Sequence, residues 1–338
     1  MRSALFAFLP LLPLGQVERK LDAGLAGEIG RQPVFVRMAD QLLPGAGALE
    51  AFAAENRGRG RLELRREVLA ALRQKAEASW AKVRERAADL ERRGELSEVT
   101  RYWIVNGFAA LASGPAAAEL ARDPAVAFVY LQRGPAQAHL HGPASRPSGI
   151  AEDRLKLLGK IRAGWRDDGK DQLPANLEIP WNLRRVQADL AWKQEGATGA
   201  GVVIALLDTG LLPVPALTAA LWRNPGEELD GKDEDGNGYV DDLFGWDFQT
   251  GSPMVLDDSS RMPHGSMCAG IMAGRPSGEK PLVTGVAPRA RLMVLRGMGH
   301  LKAYEYALAM GADILSMSYM WVNMELGEIG RASCRERV

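Results

Sequence analysis

Two segments carry side chains whose type and spacing suit proton transfer. In Val203-Ile204-Ala205-Leu206-Leu207-Asp208-Thr209-Gly210, an apolar run of strand length ends in a carboxylate and a turn. Functional groups in open α/β sheets gather beyond the carboxyl ends of the strands, so Asp208 is well placed for a site. In Pro263-His264-Gly265-Ser266-Met267-Cys268-Ala269-Gly270, a histidine opens a helix of small residues. The positive end of a helix dipole disfavours an imidazolium, and a neutral imidazole suits a general base. Each residue alone has a plainer use, Asp208 as an acceptor in a turn and His264 as a capping or core histidine.

A third segment is Asp233-Glu234-Asp235-Gly236-Asn237-Gly238-Tyr239-Val240-Asp241-Asp242. Asp233, Asp235, Asn237 and Asp241 stand at positions 1, 3, 5 and 9 of a calcium-loop pattern, with Gly238 at position 6. Phe244 stands at position 12, where that pattern has a bidentate glutamate. Hard oxygen donors suit a structural Ca²⁺ better than a transition metal, and the same run also reads as a solvated acidic loop. His139 and His141 lie two apart with no further ligand in view; a metal site is conceivable there, but two solvent histidines in a linker are the commoner reading.

These residues need a frame. The 338 residues, 46% hydrophobic, fit about two domains with buried cores. Equal numbers of basic and acidic side chains, 42 of each, give no electrostatic case for nucleic acid or an anionic membrane surface. Two cysteines, Cys268 and Cys334, exclude a disulfide scaffold. The start, Met-Arg-Ser followed by the apolar run from Ala4 to Leu14, has the pattern of a secretory signal over residues 1–20 and is too short to span a bilayer.

Residues 30–132 read as β-α-β-β-α-β. Strands are expected at 33–38, 102–105, 108–111 and 126–131, a long helix at 62–96 and a short one at 115–121, with Asn106-Gly107 as a hairpin turn. That order is the ferredoxin-like arrangement. Residues 133–178, rich in Pro, Gly, Ala and Ser and then charged, read as a linker with room for one helix. From 179 to 328 strands alternate with helices, which implies an α/β domain with a parallel sheet. No glycine-rich phosphate loop follows Leu207, which ranks a doubly wound nucleotide binder far behind. Ile329 to Val338 reads as the translation of a sequencing adapter, and its Cys334 then carries no meaning.

Taken together, the Asp-Thr-Gly run after a strand and the histidine opening a small-residue helix resemble the subtilase family. Gly285-Val286-Ala287-Pro288, Ala312 to Ser318, Trp181-Asn182-Leu183 with Ala188-Asp189, and Trp103 to Ala110 extend the resemblance. It implies a subtilisin-like parallel sheet flanked by helices, incomplete here, preceded by a small ferredoxin-like propeptide domain. It implies a secreted, extracytoplasmic serine endopeptidase made as a zymogen, acting on protein or peptide substrates, with its own propeptide as intramolecular inhibitor. It implies no organic cofactor and no stable membrane association after signal removal, and the charge balance adds no nucleic-acid partner. Asp208 and His264 would be catalytic, in the order Asp, His, Ser. Ser318, Tyr319 and Met320 would bind substrate, although the family usually has Ser-Leu-Gly there. Ser266 replaces a threonine, Met267 replaces a common second histidine, and Cys268 matches the family's thiol-containing branch, either as a packed thiol or as a point of mercurial sensitivity. The oxyanion asparagine and the Gly-Thr-Ser-Met nucleophile are expected beyond position 320. Without that serine the peptide as written is expected to be inactive. The rival expectation is a non-catalytic subtilase-fold binding protein.

Overall fold

A computed structural model describes residues 20–25, 30–132, 152–165, 177–256, 263–276, 284–297 and 299–318. The leader segment, His139 and His141, Tyr319, Met320 and the adapter-like tail lie outside them, apart from Lys20.

The first unit contains β1 (Arg31–Met38), α1 (Ala46–Glu55), α2 (Arg61–Arg92), β2 (Leu96–Tyr102), β3 (Gly107–Ser113), α3 (Gly114–Arg122) and β4 (Val126–Leu131). Its four strands pair antiparallel in the order β2-β3-β1-β4. Val34, Val36 and Met38 alternate inward from β1 and meet Val83, Ala87 and Leu90 of α2 and Leu120 of α3 in one core. The buried residues of α2 are spaced three and four apart in its C-terminal half, as a helix lying on a sheet requires.

The second β-strand falls earlier than the sequence suggests. It covers Leu96–Tyr102, and Trp103 to Asn106 form the turn. Asn106 takes φ +40, a left-handed conformation that asparagine tolerates, and its buried side chain donates to Ser79 at 2.9 Å. The aromatic and β-branched run Tyr-Trp-Ile-Val has strand propensity, but its N–H groups are used elsewhere, as described below. The short helix α1 carries alanines and Phe52 without a marked apolar stripe, so no clear sequence period announces it.

The linker contains α4 (Glu152–Gly164), followed by α5 (Trp181–Arg185) and α6 (Ala188–Glu195). Gln187, at φ +59, separates the last two. The second unit then adds β5 (Val203–Asp208), α7 (Pro215–Thr218), β6 (Gly245–Asp247), α8 (His264–Ala273), β7 (Arg291–Arg296), α9 (Leu301–Ala309) and β8 (Ile314–Ser316). Its strands are parallel in the order β6-β7-β5-β8.

Both faces of this sheet are covered, which is why its strands are nearly continuous apolar runs. Ile204 and Leu206 of β5, with Leu292 and Val294 of β7, pack with Ala269 and Ala273 of α8. Ala205 and Leu207, with Met293 and Leu295, pack with Ala303 and Tyr306 of α9 on the other face. The three-residue β6 is too short to announce itself in sequence. Among the described residues, no helix is long and apolar enough to cross a membrane.

Candidate active site

Asp208 ends β5, the strand flanked by β7 and β8, so its side chain stands at the carboxyl edge of the sheet. The residue is 1% exposed. One carboxylate oxygen, Oδ1, accepts from Nδ1 of His264 at 2.8 Å and from the N–H of Thr209 at 2.8 Å; Oδ2 lies 3.0 Å from the same Nδ1. The carboxylate therefore fixes the proton of the imidazole on Nδ1 and leaves Nε2 as the acceptor. The His264 side chain is 38% exposed, which gives that acceptor access from outside.

Three local features make this meeting of distant segments happen. First, α8 has no side-chain cap of its own at Pro263, and the Thr209 hydroxyl accepts from the N–H of Gly265 at 3.1 Å. One orphan donor of the helix start is thereby satisfied by the turn that follows Asp208. Second, Ser266 accepts from the N–H of Leu212 at 2.7 Å, a second tie between helix and turn. The hydroxyl retained at position 266 thus has a defined task. Third, Gly265 lies so close to Gly210 that a Cβ there would stand 3.2 Å from both Asp208 Cβ and the Gly210 nitrogen, and inside the Gly210 carbonyl oxygen. Only glycine lets the backbones approach this far.

At its far end α8 is closed by the Gly-Val-Ala segment. The N–H groups of Gly285, Val286 and Ala287 donate to the carbonyls of Gly274, Ile271 and Met272 at 2.8 to 2.9 Å. Cys268, one turn after His264, places Sγ 3.8 Å from Nδ1 and 3.9 Å from Nε2. The sulfur is thus nearly equidistant from the two ring nitrogens. It packs against the imidazole, and Asp208, His264 and Cys268 bring one donor atom each within 4.8 Å of one another.

The acidic loop is organised differently from the calcium-loop spacing. Asp233 accepts from the N–H groups of Asn237 and Gly238, and Asp241 accepts from Asp230 and Gly231. Asp235 instead joins Glu227 and Asp242, with carboxylate oxygens mutually within 4.8 Å. Asn237 donates to Asp235 and Asp242, and Asn224 does the same. Desolvation holds the Asp242 carboxyl above the usual aspartate range, against the lowering effect of bonds from Tyr306, Asn224 and Asn237. Glu227 is raised for the same first reason. Sequence spacing missed Glu227, which precedes the run, and Asp242, which stands at an even position. Ser318 lies exposed just beyond β8, and Tyr319 and Met320 are outside the described residues.

A parallel sheet covered on both faces, with a buried aspartate at the carboxyl end of one strand bonded to a histidine that opens a helix, defines the chain's second unit as α/β. Residues 199–325 match the model of the subtilase family. Mycosin-1 of Mycobacterium tuberculosis (strain ATCC 25618 / H37Rv) is 36% identical over 117 residues, which cover 35% of this chain and 20% of its own length. The PII-type proteinase of Lacticaseibacillus paracasei is 24% identical over 186 residues, 48% of this chain and 9% of that protein. A solved structure of MycP1 with its N-terminal propeptide removed is 28% identical, with a TM-score of 0.29, and covers 42% of this chain and 38% of that one. The chain thus spans a fifth or less of the curated relatives it matches.

Proposed function

We propose that this chain is part of a secreted subtilisin-type serine endopeptidase made as a zymogen, with Asp208 and His264 as two members of its triad. The observation that carries the reading is the bond from His264 Nδ1 to the buried Asp208, which leaves Nε2 free to take a proton from a serine hydroxyl. Asp208 would hold the tautomer and stabilise the imidazolium once formed. The serine and the oxyanion donors would come from outside the described residues. Ser318, Tyr319 and Met320 would line the path of an extended substrate next to β8, whose edge position supports pairing with a peptide strand.

The domain at 30–132 would be the propeptide, in the ferredoxin-like arrangement. Its seat on the second unit supports this. Glu305 of α9, 3% exposed, accepts from the N–H groups of Trp103 and, at 3.1 Å, Ile104, in the turn between β2 and β3. Lys302 donates to the Arg101 carbonyl at 2.8 Å. Arg61 and Arg65 of α2 pair with Asp313, which also accepts from the N–H of Val203 at the start of β5. These contacts fit a Tyr-Trp-Ile-Val run that turns after Tyr102 instead of extending: the N–H groups of Trp103 and Ile104 are claimed by the other unit.

A structural Ca²⁺ would be held by Glu227, Asp235 and Asp242. The donor set fits a hard cation, because it offers carboxylate oxygens close together; burial, and to a lesser degree the neighbouring carboxylates, raise Asp242 and Glu227 above the usual carboxylate range, a cost that a bound cation would offset.

The coding sequence downstream of codon ~328 tests the enzyme reading. Continuation in frame to a Gly-Thr-Ser run is expected; a stop codon with no such run would favour a non-catalytic binding protein.

A further inference from the structure

Arg296 stands at the end of β7, in register with Asp208 on one side and with Asp247 at the end of β6 on the other. One cation therefore sits between two buried carboxylates, 1% and 0% exposed. It does not share itself equally. Nη1 donates to Asp247 Oδ2 at 3.0 Å, and on the other side Nε donates to the backbone carbonyl of Thr209 at 2.9 Å. Asp247 is itself fixed, since its Oδ1 accepts from the N–H groups of Gln249 and Thr250 at 2.8 and 3.3 Å.

Thr209 is where the pair is assembled. Its N–H holds Asp208 Oδ1 and its hydroxyl holds the start of α8 through Gly265. Its carbonyl, the remaining backbone group, is gripped by Arg296. Asp247 takes the guanidinium charge, so that Asp208 keeps its own carboxylate for His264.

We propose that Arg296, anchored by Asp247, is a positioning residue for the Asp208–His264 pair. It acts through the Thr209 peptide and touches no reacting atom. The inference rests on the reading of Asp208 and His264 as the acid–base pair.

The test uses the 338-residue chain with ¹⁵N-labelled histidine. The chain has four histidines, so the carboxylate-bound Nδ1 proton of His264 is assigned by its loss in His264→Ala. Two variants are compared with wild type. Arg296→Met with Asp247→Asn removes both charges, which avoids leaving a buried carboxylate unpaired. Arg296→Lys keeps the charge beside Asp247 but gives up the planar fork that also reaches Thr209. The melting temperature and circular dichroism establish that each variant is folded. The expected result in both is a folded chain whose Nδ1 proton exchanges with water at least about tenfold faster, or is lost, as bond misplacement implies. If the double variant does not fold, Arg296→Lys carries the test alone. A folded variant that keeps the wild-type resonance and protection overturns the inference. Asp208→Asn separates the two ideas: if it abolishes the resonance while the Arg296 variants retain it, the pair stands and the positioning role falls. If wild type shows no such resonance, both fall.

Discussion

Replacing Gly265 with alanine should separate the two halves of the site more cleanly than removing either side chain. The new Cβ would lie 3.2 Å from Asp208 Cβ and the Gly210 nitrogen and inside the Gly210 carbonyl oxygen. All these neighbours are backbone or the root of a buried side chain, so none can swing aside. Restoring ordinary carbon contacts requires α8 to withdraw by roughly 1 Å. That movement carries the 2.8 and 3.0 Å contacts of His264 Nδ1 out of hydrogen-bonding range, together with the Thr209 cap on Gly265. Overpacking costs about 1–3 kcal/mol, and losing the bonds adds about 1 kcal/mol. At about 2–4 °C per kcal/mol, the second unit should melt roughly 4–16 °C lower. Gly270→Ala on the same helix is the control, because nothing described lies within 4 Å of its Cβ. It should be neutral or stabilising by about 0.5–1 kcal/mol. Melting of both variants by near-ultraviolet circular dichroism decides the matter. A Gly265→Ala chain melting within about 1 °C of wild type would show that the approach of α8 to the Asp208 turn is not what holds the pair together.

Other outcomes follow from the same contacts. Glu305→Ala should strip the acceptor from the Trp103 and Ile104 N–H groups and weaken docking of the first unit by about 1–3 kcal/mol; limited proteolysis of the full chain should then cut between the units faster, and an unchanged rate would remove Glu305 from the interface. Adding a chelator should lower the melting temperature if Glu227, Asp235 and Asp242 hold calcium, and no shift would count against that site. Asp242 and Glu227 have folded-state pKa values raised by burial, so what they add to the metal-free chain is fullest while they are protonated and is lost as pH rises through those elevated values. Stabilisation by added Ca²⁺ should therefore be larger at pH 8 than at pH 5, and the reverse order would contradict the assignment.

Asp208 and His264 were legible because their neighbours were specific: an apolar run before one, small residues after the other. The structure adds why those neighbours matter. Thr209 caps the helix that carries His264, and Gly265 permits the contact. The acidic loop was legible as a loop, but the carboxylate cluster within it was not, because Glu227 folds back from outside the run to meet Asp235 and Asp242 while Asp233 and Asp241 face backbone N–H groups elsewhere in the loop. The displaced second strand has a similar cause. Local propensity favoured extending through Trp103 to Val105, and a carboxylate from a residue 202 positions away captures the chain there. Arg296 gave no sequence signal, since its meaning depends on lying in register between two strand-end carboxylates.

The most direct measurement is casein hydrolysis by the same reading frame extended through its serine, comparing wild type with His264→Ala. Turnover should fall by about 10⁴-fold or more with the fold retained. A folded His264→Ala protein that keeps wild-type turnover would contradict the assignment of the Asp208–His264 pair as the catalytic acid–base couple.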